Sequence, residues 1–407
     1  MGLLIQLFDS LEGSPLQTSA ITAVASVSIF IASLASLVVY YNSSSKTIKP
    51  LPAKIANNKA RKLGTWKPED YKLPVPPAYP EWDIKTFKPL PYRAFKHKYN
   101  VTMGIRNMDP NSWIELDNEW NKFHDLKMKR IEEKGEEVYG TLPEAKAASL
   151  ELLEELRKFL PARYPSLFER TADGMKNLET GEVHRMVEPL LEDPMLTVAR
   201  LLQDDVAIMI ENEQGEYYLK GGCIMLAGFW RLKDKFNTSL STIHTSGDVP
   251  KYNTHLKKGM EKFFVRLTPE APVVRNNYFI QTDDNLDWSS SIGDEDNETV
   301  GWYTADPAKS VEKIWYRSER QSVRRLPITG AVIFTIRTYF LPLTEMCKEP
   351  YVPKRLLDGI ESWSDDVREY RGYDKFYEVV LPYLREKVAE QAAMGYTDEN
   401  EAEQYPF

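Results

Sequence analysis

Between residues 13 and 45 the chain carries no charged side chain, and 21–41 is apolar over a length that crosses a bilayer as one helix. Tyr40 and Tyr41 end the run where aromatic residues sit at headgroup level. The pattern predicts a transmembrane helix over 19–41 behind a short tail, 1–18. No Lys or Arg precedes Lys46, so the basic start of a cleavable signal peptide is missing. Lys46, Lys49, Lys54, Lys59, Arg61 and Lys62 follow the span, while Asp9 and Glu12 precede it. That bias predicts a single-pass protein with its body in the cytosol, the endoplasmic reticulum being the expected membrane.

A basic, proline-rich linker over 42–84 then reads as an extended strap, with Trp66, Trp82 and Phe87 to hold it against a folded body over 85–395. Ser112 and Glu115 are spaced as a capping box, predicting a helix with Trp113, Leu116, Trp120 and Phe123 on one face and a stop at Gly135. A second helix is predicted from Thr141 to Leu160, ended by Pro161. Beyond Asp204 the spacing turns to period two. Strands are predicted at 206–210 and 217–226 around the turn Asn212-Glu213-Gln214-Gly215, and again at 273–281, 314–324 and 331–340. A helix over 252–267, helical texture over 354–394 and an acidic tail, 396–407, complete an α+β chain.

Composition narrows the chemistry. A net charge of −8 argues against a nucleic-acid partner, which needs a basic surface to displace counterions. Cys223 and Cys347 alone cannot build a disulfide framework, a four-cysteine zinc site or a cysteine-ligated iron–sulfur cluster. There is no HExxH, P-loop, GxGxxG turn or GxSxG elbow, so redox chemistry would draw electrons from a partner.

Two segments carry the candidate chemistry. In the apolar strand 331–340, Val332, Phe334, Ile336 and Phe340 share one face, and Thr335, Arg337 and Tyr339 the other. A buried Arg337 keeps its charge and needs an anion: Glu319 or another protein carboxylate, a phosphate or a cofactor carboxylate. In the second segment, His244 precedes a turn rich in Gly and Pro that leads into a helix, a place where an imidazole can face a cavity. His244, Asp248 and His255 also offer two imidazoles and a carboxylate to non-haem iron.

Around these segments the chain resembles the haem-dependent oxidative N-demethylase α-subunit family, also called the HRQ family. The carrying stretch is Arg325-Leu326-Pro327-Ile328-Thr329-Gly330-Ala331-Val332-Ile333-Phe334-Thr335-Ile336-Arg337-Thr338-Tyr339. Met103-Gly104-Ile105-Arg106, 113–117, 221–235, Ile243-His244 and Val274-Arg275-Asn276-Asn277 add to it. The resemblance implies a PAS-like antiparallel sheet with packed helices, holding haem b, and an oxygen-dependent monooxygenase acting on an amine or lipophilic small molecule. It implies a separate flavin or iron–sulfur reductase as electron donor. His244 is then the expected iron ligand, Arg275 and Arg337 the expected cofactor contacts, and Arg320, Arg324 and Arg337 the expected catalytic arginines. One departure stands out: where the family pattern reads His-x-Pro-Val-Pro, Thr245-Ser246-Gly247-Asp248 here precedes Val249-Pro250. Two rival classes are a non-catalytic haem or ligand sensor and a lumenal glycosyltransferase. The latter would use Asp294-Glu295-Asp296 as its metal triplet and carry glycans at Asn100, Asn237 and Asn297.

Overall fold

The computed structural model describes residues 61–94 and 98–401. The expected span at 19–41 lies outside them, and among the described residues no helix is long and apolar enough to cross a membrane. The described residues form one compact unit.

The described strands are β1 (Arg106–Asn107), β2 (Tyr139–Thr141), β3 (Phe168–Arg170), β4 (Gly174–Asn177), β5 (Val183–Arg185), β6 (Asp205–Glu211), β7 (Tyr217–Cys223), β8 (Val273–Gln281), β9 (Trp315–Arg325) and β10 (Val332–Pro342). Seven of them make one antiparallel sheet in the order β1-β8-β9-β10-β6-β7-β2, and β3, β4 and β5 form a small meander. The fold class is therefore α+β with a large antiparallel sheet.

Local chemistry explains the two tight hairpins of the large sheet. At the β6–β7 turn the Asn212 side chain accepts from the amides of Gln214 and Glu216, and Gly215 takes the left-handed conformation (φ +84°). At the β9–β10 turn the Glu151 carboxylate accepts from the amides of Ile328 and Thr329 and from the Thr329 hydroxyl, at 2.8, 2.8 and 2.6 Å. The pairing runs without a slip from Val332 opposite Arg325 to Pro342 opposite Trp315, so each residue's face is fixed by parity.

On the back face, Ile208 and Ile333 pack against three helices: α1 (Trp120–Lys134), α2 (Lys146–Arg163) and α3 (Pro194–Leu201). Leu152, Leu153, Leu156 and Leu160 of α2 are all buried there, each contributing roughly 1.5–3 kcal/mol of burial. On the front face, Ala207, Val323 and Phe334 meet two further helices, α4 (Leu240–Thr245) and α5 (Lys257–Arg266), through Leu240, Ile243, Met260 and Phe264. A third cluster joins the far end of the sheet, at Tyr278, Ile280 and Tyr316, to α6 (Val352–Glu361) and α7 (Tyr377–Ala393).

Several boundaries differ from those the periodicity predicts, and Thr141 closes β2 while α2 starts only at Lys146. Ser112 closes a single 3-10 turn, capped by Asp109, and α1 starts only at Trp120. The intervening residues leave helical geometry, and Glu115 and Asp117 there face arginines of the sheet. Pro161 sits inside the last turn of α2, which continues to Arg163. His244 does precede a turn that leads into a helix, and it is itself carried by a short helix that the periodicity did not predict. The strap does lie on the body: the Trp82 indole N–H donates to the Leu116 carbonyl and that of Trp66 to the Pro327 carbonyl.

Candidate functional site

The front face carries the group best suited to hold a cofactor. Ser239 caps α4 by accepting from the Thr242 amide at 3.1 Å. One turn into that helix, His244 Nδ1 lies 2.7 Å from the Leu240 carbonyl. A carbonyl can only accept, so Nδ1 carries the proton and the Nε2 lone pair is left open. Nε2 has no hydrogen-bond partner among the described residues. Tyr252 stacks on the imidazole, with ring centroids 4.9 Å apart and planes 13° apart, from the start of the π-helical turn Tyr252–Leu256. Ring plane, tautomer and free nitrogen are thus all set by the neighbours. Burial holds the imidazole below its ordinary pKa, the Leu240 bond partly opposing it and the charges of Arg275 and Lys235 pushing it further down. His244 is therefore neutral and ready to ligate at physiological pH.

The sheet opposite supplies a chain of polar groups. Parity puts Arg275 and Asn277 of β8 on the same face as Gln321 and Glu319 of β9 and Ile336 and Thr338 of β10. Arg275 donates to the Met103 carbonyl (2.8 Å) and to Gln321 Oε1 (2.6 Å), leaving its Nη2 unused among the described residues. Gln321 in turn donates to Glu319 Oε2 (2.8 Å), and Asn277 approaches the same oxygen at 3.4 Å. Glu319 Oε1 has no partner there. Burial raises the Glu319 pKa, countered by the charge of Arg317 and by the two amide contacts. Phe334, inside the central strand, is only half-buried while its neighbours Ile333 and Thr335 are buried, so the helices do not fully cover the sheet on this side. A neutral imidazole, a half-buried Phe334 and a buried carboxyl with one free oxygen are chemically suited to an iron-centred planar group and a small polar ligand.

The structure does not bring the expected arginines to this site. Arg320 pairs with Arg337 across the β9–β10 ladder and Arg324 with Ile333, all of opposite parity to Gln321 and Glu319. These three arginines therefore point to the back face, and a hydrogen-bonded sheet separates them from His244 and Arg275. Their partners are internal. Arg337 meets Asp117 at 2.5 Å with both side chains buried, and its guanidinium lies 4.3 Å from the centre of the Phe123 ring. Arg320 meets Glu115 at 3.2 Å and the Trp113 carbonyl. Arg324 lies 4.6 Å from the centre of the Trp113 ring. Arg320, Arg324 and Arg337 therefore lie among the contacts between the back layer and the sheet, apart from His244 and Arg275. Arg337's anion is Asp117 rather than Glu319, which faces the other way.

The sequence offers Glu319 only as an anion for Arg337, and it gives Gln321 and Asn277 no role in the site. The signal was present, since Glu319 and Gln321 alternate with Arg320 and Arg324, but parity alone does not say which face is open. Among the described residues no group of three His, Cys, Asp or Glu side chains is placed to hold a metal ion. His255 instead contacts Thr254 at the surface, and the acidic triplet is bound by α1, with Arg130 forked on Glu295 at 2.5 Å and Lys134 on Asp296. The non-haem iron triad and the transferase triplet have no counterpart in these contacts.

The chain is thus an α+β domain with a large antiparallel sheet, and the helix carrying His244 packs on its front face. Residues 104–381 match the family described as haem-dependent oxidative N-demethylase, alpha subunit-like, and the chain belongs to that family. Haem dependence follows from the family, and His244 and its surroundings fit that group.

Proposed function

We propose that the protein is a membrane-anchored haem oxidoreductase that uses oxygen to dealkylate a secondary amine or a related lipophilic small molecule, with electrons from a separate flavin or iron–sulfur reductase. The single observation that carries this reading is the His244 imidazole, locked by Leu240 and Tyr252, with Nε2 left without a hydrogen-bond partner among the described residues. The strand order supports a PAS-like core: of the five strands β6 to β10, the spatial sequence is second, first, fifth, fourth, third. The helices carrying His244 lie between the second and third of these strands, β7 and β8.

Haem b, when bound, would supply the activation of oxygen and the one-electron chemistry that side chains cannot. His244 would hold the iron through Nε2, and the Leu240 carbonyl would keep the proton on Nδ1 and raise the basicity of the ligand. Arg275 has one N–H pair to offer a carboxylate of the cofactor. Glu319 Oε1 would accept the N–H of an amine substrate, while Gln321 and Asn277 fix the carboxylate from its other oxygen.

Full-length protein expressed with haem supplied is expected to show a Soret band that His244→Ala loses. A wild-type protein without Soret absorption would sink the reading. Reductase-dependent oxygen consumption stimulated by secondary amines separates an enzyme from a haem protein that only binds gas.

A further inference from the structure

The stretch 251–270 holds Lys251, Lys257, Lys258, Lys262 and Arg266 against only Glu261 and Glu270, in a chain whose net charge is −8. Lys258, Lys262 and Arg266 recur every four residues and are exposed, so they form one stripe along α5, with Lys251 exposed just before the helix. None of these five cations forms an ion pair with a carboxylate among the described residues, although the charge of Lys251 helps to lower the pKa of Asp366. The stripe ends beside the place where the strap joins the body. Arg61 donates to the Tyr217 hydroxyl, that ring packs 4.9 Å from Phe264 of α5, and Arg325 donates to both the Tyr217 hydroxyl and the Phe264 carbonyl. Exposed Lys62 and Leu63 follow Arg61 on the strap.

We propose that this face, Lys251, Lys258, Lys262 and Arg266 with Lys62 and Leu63, lies on an anionic phospholipid surface. The proposal rests on the membrane-anchored reading. An acidic protein would meet the same charges, but the strap favours lipid. The basic residues from Lys46 onward run directly into Arg61, so the chain's uncharged 13–45 stretch is tethered, by sequence, to the body beside α5. Each cation brought to an anionic surface strengthens binding roughly fivefold, and the effect fades within a Debye length. Lying on this face would put α5, which packs beside the His244 helix, at the lipid side, where an apolar substrate is concentrated.

The test uses the full chain in nanodiscs with a spin label at Lys262→Cys, a second at Lys258→Cys, and a control at exposed Glu386→Cys on α7. A water-soluble nickel complex reports solvent access. In discs containing phosphatidylserine the labels at 258 and 262 are expected to lose most of their nickel collisions, to regain them in about 0.5 M salt, where the Debye length shrinks to a few ångströms, and to remain open in pure phosphatidylcholine. The control stays open throughout. Equal access in both lipids overturns the proposal, as does equal shielding in both, or shielding that appears only on adding an acidic ferredoxin. Failure of the chain to incorporate into discs defeats the anchored reading itself, and this proposal with it.

Discussion

A side chain in this protein is defined by its neighbours more than by its type, and Asp204 shows how far that goes. It is fully buried, and neither carboxylate oxygen has a hydrogen bond, although Arg337, Arg320 and Lys127 are near enough to lower its pKa. Burial wins and carries the pKa from 3.8 up to about 6. Between those two values the folded state binds more protons than the unfolded chain, so this residue's contribution to stability is full below pH 3.8 and is lost as pH rises through 6. Asp204→Asn keeps the shape of the neutral acid. It is expected to stabilise the protein at pH 7.5 by about 2–3 kcal/mol and to gain nothing near pH 4. Urea melts at the two pH values check this, and an equal effect at both would contradict it. His244 runs in the opposite sense: with its pKa lowered, its share of stability is present above the ordinary value near 6.5 and is lost as pH falls below it.

At the scale of elements, the β9–β10 hairpin is held at its turn from two sides. Glu151 of α2 satisfies the turn's amides, and the Trp66 indole of the strap covers Gly330, which takes φ +71°. A Cβ at Gly330 would overlap that indole, and its backbone conformation disfavours any L side chain. Gly330→Ala is expected to cost about 1–3 kcal/mol and to expose Trp66. The denaturation midpoint and the tryptophan emission maximum report the two effects together. An unchanged midpoint would mean that the strap is not part of the folded unit. The Gly-Ala pair belongs to the longest stretch by which the family is recognised, so that stretch reports on a packed turn as well as on the sheet, and none of its side chains contacts His244 in the hydrogen bonds or ring contacts of the structure.

For the whole molecule, the sheet divides two kinds of arginine. On the back face Arg337 and Asp117 form a fully buried pair that joins the segment before α1 to the central strand, and Gln203 donates to the other Asp117 oxygen at 2.9 Å. Breaking such a pair leaves a buried charge without a partner, so Asp117→Asn is expected to destabilise the protein by about 3–5 kcal/mol. The haem spectrum of whatever remains folded should be unaltered, because the pair lies behind the sheet. A shifted Soret band with unchanged stability would place Arg337 in the site after all. On the front face Arg275 is bound to a carbonyl and an amide, and the charge of nearby Glu319 partly offsets the lowering of its pKa by burial.

The sequence by itself determined the strands from β6 to β10, the Asn212–Gly215 hairpin, the stop of α1 at Gly135, the alternation along 331–340 and, through a long shared stretch, the family. These are local signals: a period of two, a turn amide, a left-handed glycine. It also pointed to His244 and Arg275 and to the need of Arg337 for an anion. Only the tertiary structure decided which anion that is, since Asp117 is 220 residues away in the chain and no periodicity links them. It also decided which side of the sheet is open. Parity sorts Arg320, Arg324 and Arg337 from Glu319 and Gln321, but the helices that bury one face and leave Phe334 half-covered on the other are placed by long-range packing. That packing turned the arginine cluster into a structural layer and brought Glu319 into the candidate site.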